Sequence, residues 1–142
     1  MKAADSAGYE LFPHEADMGV RGWGDRPDTA FEQTGLAMTA VVTDPVSVRP
    51  ETQVTIRCEA PDLELLLVDW LNALIYEMAT RHLLFSRFDV RIEGPRLSGS
   101  AWGEPVNRER HGPAVEIKGA TYTALRVYRE AERWVAQTVV DI

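Results

Sequence analysis

The hydrophobic period of this chain changes once, sharply, near residue 83, and that change dictates the fold class. Residues 60–84 read APDLELLLVDWLNALIYEMATRHLL. Leu63, Leu66, Leu67, Trp70, Leu71, Leu74, Ile75 and Met78 recur at the spacing of one wide helical face. Pro61 suits the opening of a helix, Asp62 and Glu64 suit its first turn, and Arg81 and His82 suit its end, where the helix dipole favours cations. From residue 85 the period drops to two. FSRFDVRIEG alternates Phe88, Val90 and Ile92 against Arg87, Asp89, Arg91 and Glu93, the mark of a strand with one buried face. A core helix followed by a run of strands excludes both an all-α bundle and an all-β sandwich.

The rest of the chain extends this pattern. YELFPH reads as a short strand, with Pro13 at an edge or an end because it lacks a donor. MGVRGWG reads as a second extended piece, broken by glycines. GDRPDTAFEQTGLAMTAVVTDP holds a helix, with Pro27 in the first turn beside Asp25 or Asp28. Its face is Ala30, Phe31, Thr34, Ala37, Met38, Val41 and Val42, and Asp44-Pro45 ends it. VSVRPETQVTIRCEA alternates at Val54, Ile56 and Cys58. LSGSAWGE, AVEIKGATYTALRVY and ERWVAQTVVDI read as further strands, although residues 120–134 also fit a helix. The order predicts an α+β fold in which two helices pack on a largely antiparallel or mixed sheet. The 142 residues form one domain, with a loose segment at 1–8.

Composition narrows the function classes. Net charge is −7, a poor balance for direct RNA or DNA binding, which needs concentrated Lys and Arg. The single cysteine, Cys58, excludes a disulfide framework within the chain and a cysteine-based zinc site. Its alternating apolar neighbours point to an inert, buried thiol. MKAADSAGYE has no apolar core for a signal peptide, and no run approaches the roughly 18 apolar residues that span a bilayer. A cytoplasmic protein with no membrane partner is expected. Neither a P-loop nor G-x-G-x-x-G before a helix is present, and there is no G-x-S-x-G nucleophile elbow.

Three stretches carry candidate chemistry. In the first, FPHEADMGVRGWG, an extended backbone points Glu15 and Asp17 to one side and His14 to the other. A metal site would use the two acids, with His14 as a base or supporting donor. The plainer alternative is a capped turn with solvated acids. The second is VVDI, where Asp141 precedes the carboxylate of Ile142. A strand placing these oxygens beside Asp17 creates a surplus of negative charge that calls for calcium, magnesium or manganese. The third is WGEPVNRERHGPAVEIKGATY, with Glu104, His111 and Lys118 too widely spaced for a local motif. The plainer alternative there is a solvated hairpin loop containing Arg108 and Arg110.

Taken in order, several pieces resemble the archease family from about Tyr9 to Ile142. They are PHEADMGVRGWGD, the helix containing AFE, DLELLLVDWLNALIYE, Gly103-Glu104, His111, EIKGATY and the closing VVDI. The chain departs from the family pattern in having Glu15 where a threonine is usual and Gly119 where an alanine is usual. Neither departure removes a carboxylate. The resemblance implies a role that composition does not reveal. Archeases are partners of an RtcB-type RNA ligase, which joins ends bearing a 2′,3′-cyclic phosphate or 3′-phosphate to a 5′-hydroxyl, as in tRNA splicing. That ligase first takes GMP from GTP onto its own histidine. The archease promotes this guanylylation and repeated turnover without being catalytic itself. The resemblance further implies one divalent metal, calcium in the family, with magnesium or manganese as alternatives. Carried over by position, its ligands are Asp17, Asp141 and Ile142. His14, Glu15, Glu104 and Lys118 form a second tier, in which Lys118 balances the acids, contacts a phosphate or makes a structural salt bridge. Two rivals belong to other classes: a metal-dependent hydrolase using Asp17, His14 and Glu104, and a general chaperone or interaction module.

Overall fold

In the computed structural model, which describes residues 7–142, two glycines set the position of the first helix. Strand β1 (Gly8–His14) turns into β2 (Asp17–Gly24), and α1 (Pro27–Val42) crosses behind them. A Cβ on Gly22 would lie 2.4 Å from the Thr34 backbone nitrogen and 2.5 Å from the Ala30 carbonyl oxygen, so the helix rests on bare strand backbone. A Cβ on Gly19, on the opposite face, would enter the Phe12 ring. The glycines expected to break this piece therefore lie within a continuous strand, where they permit close packing. Of the segment expected to be loose, residues 1–6 lie outside the described residues, and Gly8 already belongs to β1.

After a 3-10 turn at Pro45–Ser47, the remaining elements are β3 (Thr52–Glu59), α2 (Leu63–Arg81), β4 (Leu83–Glu93), β5 (Arg96–Pro105), α3 (Arg108–His111), β6 (Gly119–Ala120), β7 (Arg126–Glu130) and β8 (Arg133–Asp141). The class is α+β and the pairing is antiparallel throughout. The strands divide between two sheets: β1-β2-β8-β6, with β7 also on β8, and β3-β5-β4. Helix α1 lies between β1, β2 and β8 of the first sheet and β4 of the second, and α2 spans both. The core is centred on Trp70, Phe31, Phe85, Met38, Leu66, Leu67, Leu71 and Leu74, all nearly or fully inaccessible. Trp70 Nε1 donates to the Phe31 carbonyl at 3.2 Å and ties α2 to α1.

Local signals hold where the period is strong. Asp62 caps α2, accepting from the Leu65 amide at 2.8 Å, and His82 ends the helix in the left-handed region at φ 56°. Val54 and Ile56 point inward from β3. Cys58 is half-buried, and burial pushes its thiol up to about 11, which keeps it inert. The expected long strand at 114–128 is not continuous. After Gly112, in the left-handed region, and then Pro113, the chain forms strand only at Gly119–Ala120, flanked by single bonds from the Lys118 and Thr121 amides to the Asp141 and Val139 carbonyls, and turns before β7. The helical alternative for 120–134 is also excluded, because β7 and β8 form a hairpin there.

Helix side chains close several sheet edges. Glu32 and Asp28 of α1 accept from the Val90 and Ile92 amides of β4 at 2.8 and 3.0 Å. From α2, Glu64 accepts from the Val127 amide at 3.1 Å, and Asn72 accepts from the Ala120 amide at 2.9 Å. Exposed strand edges invite pairing with other chains, and these contacts satisfy donors that would otherwise remain open. Burial pushes the Glu32 carboxyl above its ordinary value, opposed by the Val90 amide it accepts.

Candidate functional site

The tip of the first sheet gathers residues from opposite parts of the sequence. The β1–β2 hairpin closes with His14 directly opposite Asp17, around a turn of Glu15 and Ala16. Glu15 has φ 55°, a conformation that costs a residue with a side chain about 1–2 kcal/mol. This corrects the expected alternation. The turn interrupts the strand, so Asp17 shares its face with His14 and Glu15 projects from the tip.

Strand β8 runs beside β2 from Trp134 opposite Gly24 to Val140 opposite Met18. One step further, Asp17 falls opposite Asp141. The Ile142 amide donates to Asp17 Oδ1 at 3.3 Å, and the Lys118 amide donates to the Asp141 carbonyl at 2.8 Å. Asp141, Glu15 and Lys118 are exposed, while His14 and Asp17 are partly buried. Ile142 packs its side chain against the core, which anchors the end of β8. Among the described residues neither Asp17, Asp141 nor Lys118 takes part in a salt bridge. The structural salt bridge considered for Lys118 is therefore not seen. Among the described residues, no group of three or more His, Cys, Asp or Glu side chains has the spacing of a metal cluster. The tip carries four such side chains, His14, Glu15, Asp17 and Asp141, of which Asp17 is tied to the Ile142 amide.

Glu104 is not part of this tip. It is buried at the end of β5, and its carboxylate is fully engaged. It accepts from the Arg49 amide at 2.8 Å and from Arg110 Nη1 and Nη2 at 2.7 Å each. His111 Nδ1 accepts from the Asn107 amide at 2.8 Å, so the ring proton lies on Nε2 and is donated to Glu104 Oε2 at 3.0 Å. The forked Arg110 contact, with the Arg49 amide and His111, holds the Glu104 carboxyl well below the usual range against the opposing effect of burial. Residues 105–110 are exposed, as the solvated loop considered for this region implies, and beneath them Arg110 reaches in to the buried Glu104 beside the buried His111 as an ionic clamp. Asn107 caps α3 through the Arg110 amide at 3.0 Å and so places Arg110 and His111 under Glu104. Asparagine before RERH was the available signal, but the partner Arg49 lies 55 residues away.

These features define a small α+β domain that presents carboxylate oxygens on a rigid sheet end. The model of the Archease protein family matches residues 9–142. The archease of Methanopyrus kandleri is 38% identical over 138 residues, covering 94% of this chain and 99% of that protein. The Pyrococcus furiosus archease is 37% identical over 139 residues, covering 94% and 98%. The solution structure of Methanobacterium thermoautotrophicum protein 1598 superimposes with a TM-score of 0.83 at 30% identity, covering 95% of this chain and 99% of that one. A Thermotoga maritima archease, described as a possible chaperone, shares the fold with a TM-score of 0.57 at 17% identity, covering 94% and 96%. The chain belongs to the archease family. Among the described residues, no helix is long and apolar enough to cross a membrane.

Proposed function

We propose that the protein is a non-catalytic activator of an RtcB-type RNA ligase, promoting ligase guanylylation and repeated turnover in tRNA splicing or RNA repair. The tip formed by Asp17, Asp141 and Ile142 is its working part. One observation carries this reading: the Ile142 amide meets the Asp17 carboxylate at 3.3 Å, joining two motifs 125 positions apart.

The donor set fits one divalent cation. It consists of hard oxygens without sulfur, which suits calcium first, and magnesium or manganese with fewer protein ligands. Negative charges are concentrated there without a salt-bridged cation among the described residues. A bound cation would offset two of the negative charges of Glu15, Asp17 and Asp141, so that the tip stays acidic while the cation itself faces the partner's site. The chain's own residues orient the tip. The Ile142 amide holds one Asp17 oxygen, the Lys118 amide pins the Asp141 carbonyl, and pairing through β1, β2 and β8 keeps the carboxylates on a stiff frame. Lys118, exposed and bonded through its amide to Asp141, adds a positive charge to the same strand end.

The hydrolase alternative loses a member of its proposed set, because the Glu104 carboxylate is occupied by Arg110, His111 and the Arg49 amide. A general chaperone would present a contiguous apolar surface. Among the described residues the exposed large apolar side chains are Tyr9, Val46, Tyr76, Val106 and Tyr122, three of them tyrosines with a polar hydroxyl, and suppression of aggregation in unrelated proteins tests that reading. The test is to incubate the pure protein with GTP alone and then with a cognate ligase and RNA. The expected result is no chemistry alone and increased ligase turnover in the mixture. GTP hydrolysis or GMP transfer by the protein itself would overturn the activator reading.

A further inference from the structure

The outer face of the first sheet, turned away from α1, carries a pattern that the tip does not explain. Across β1, β2, β7 and β8, strand register brings Phe12, Arg21, Trp23, Arg126, Tyr128 and Arg133 onto this face. Each arginine lies over an aromatic ring. Arg21 is 4.4 Å from the Phe12 centroid, Arg126 is 3.9 Å from Tyr128, and Arg133 is 4.9 Å from Trp23. Stacking restrains the long arginine side chains before any partner arrives. Arginine, tryptophan and tyrosine are also the residues that dominate the energetic centres of protein interfaces. Arg21 is already engaged by Glu10 and Gln137. Among the described residues, Arg126 and Arg133 form no ion pair with a carboxylate.

Charge along the face decides what fits it. Asp17 opens β2 and Arg21 follows four residues later, about 13 Å further along at the ordinary strand rise. The face is thus negative at the tip and carries three arginines further along, where Glu10 pairs with Arg21 and Glu130 stands opposite Arg133, leaving Arg126 without a facing carboxylate in the strand register. A nucleic acid presents one sign of charge along its length and would be repelled at the tip. A folded protein with a cationic pocket beside an acidic patch matches both ends.

We infer that this face is a protein-docking surface, on which an acidic patch of the ligase meets Arg126 and Arg133 while its cationic nucleotide pocket receives the carboxylate tip. The inference rests on the ligase reading above. The test measures ligase turnover against concentration of the native chain, Arg126→Glu/Arg133→Glu, the neutral Arg126→Ala/Arg133→Ala, and Arg87→Glu. Arg87 lies 4.6 Å from the Trp102 centroid in the other sheet and controls for loss of any stacked arginine. Thermal melting checks the fold of each. Charge reversal should raise the half-maximal concentration at least tenfold, with the maximum approached at high concentration. The alanine pair should show a smaller rise, and Arg87→Glu none. If the native chain activates the ligase and both double variants match it, the docking surface is wrong and the activator reading stands. If the native chain neither activates nor binds the ligase, both fall together. If the double variants lose binding to a single-stranded RNA oligonucleotide but keep the native half-maximal concentration for the ligase, the face is an RNA surface and the inference is overturned.

Discussion

Replacing Glu104 with glutamine removes one charge from a clamp that closes a strand end. The side chain of Glu104 is 5% exposed and that of Arg110 is 32% exposed. Removing one partner of a fully buried ion pair costs about 3–5 kcal/mol. Arg110 retains access to water and can reorient, and glutamine still accepts one or two hydrogen bonds. A cost below that range, about 2–3 kcal/mol, is therefore expected, worth roughly 8–10 °C in a domain of this size. The pH dependence provides a second handle. Arg110, the Arg49 amide and His111 depress the folded-state pKa of Glu104, so its contribution is fully present above the unfolded value near 4.3 and is lost as pH falls toward the folded value. Urea denaturation of native and Glu104→Gln protein should show a stability gap that is constant from about pH 6 to 7.5 and narrows below about pH 4.5. Equal stability at pH 7, or a gap that widens on acidification, would refute the clamp.

Other outcomes follow from the same geometry. Asp17→Asn and Asp141→Asn should each abolish calcium binding measured by calorimetry while leaving the melting temperature near native; undiminished affinity in both removes the metal from this account. Residues added after Ile142 move its carboxylate from the tip but keep every core side chain, so ligase activation should fall sharply with little change in melting, whereas full activation would show that Ile142 supplies no carboxylate ligand. Gly22→Ala forces a Cβ to 2.4 Å from the Thr34 backbone nitrogen and should lower the urea midpoint by the equivalent of about 3 kcal/mol; an unchanged midpoint would mean that α1 shifts freely. Glu15→Gly relieves a left-handed φ of 55° and should stabilise by about 0.5–1 kcal/mol after the greater freedom of the unfolded chain is counted; destabilisation would mean that the turn is unstrained.

Periodic elements were legible in the sequence because burial imposes their pattern directly. Leu66, Leu67, Trp70, Leu71 and Leu74 mark α2, while Val54 and Ile56 mark β3. Partner choice was not legible. Alternation shows that a strand has an inner face, not which strand lies beside it, so the division into two sheets rests on long-range pairing. Val115 and Ile117 alternate like a strand, yet Gly112 and Pro113 lead the chain past β8 until Gly119. Asp17 and Asp141 were singled out as a pair by the family resemblance, and their adjacency follows from the β2–β8 register. The Glu104 clamp was hidden because its donors come from a distant loop and a one-turn helix whose position depends on tertiary packing.

The most direct measurement is formation of the covalent GMP adduct on a cognate ligase, followed with labelled GTP and manganese. The native chain should accelerate adduct formation and restore it after each round of RNA joining. The doubly substituted Asp17→Asn/Asp141→Asn chain, confirmed as folded, should leave the ligase at its unassisted rate. Equal acceleration by the substituted chain would contradict the assignment of activation to the carboxylate tip.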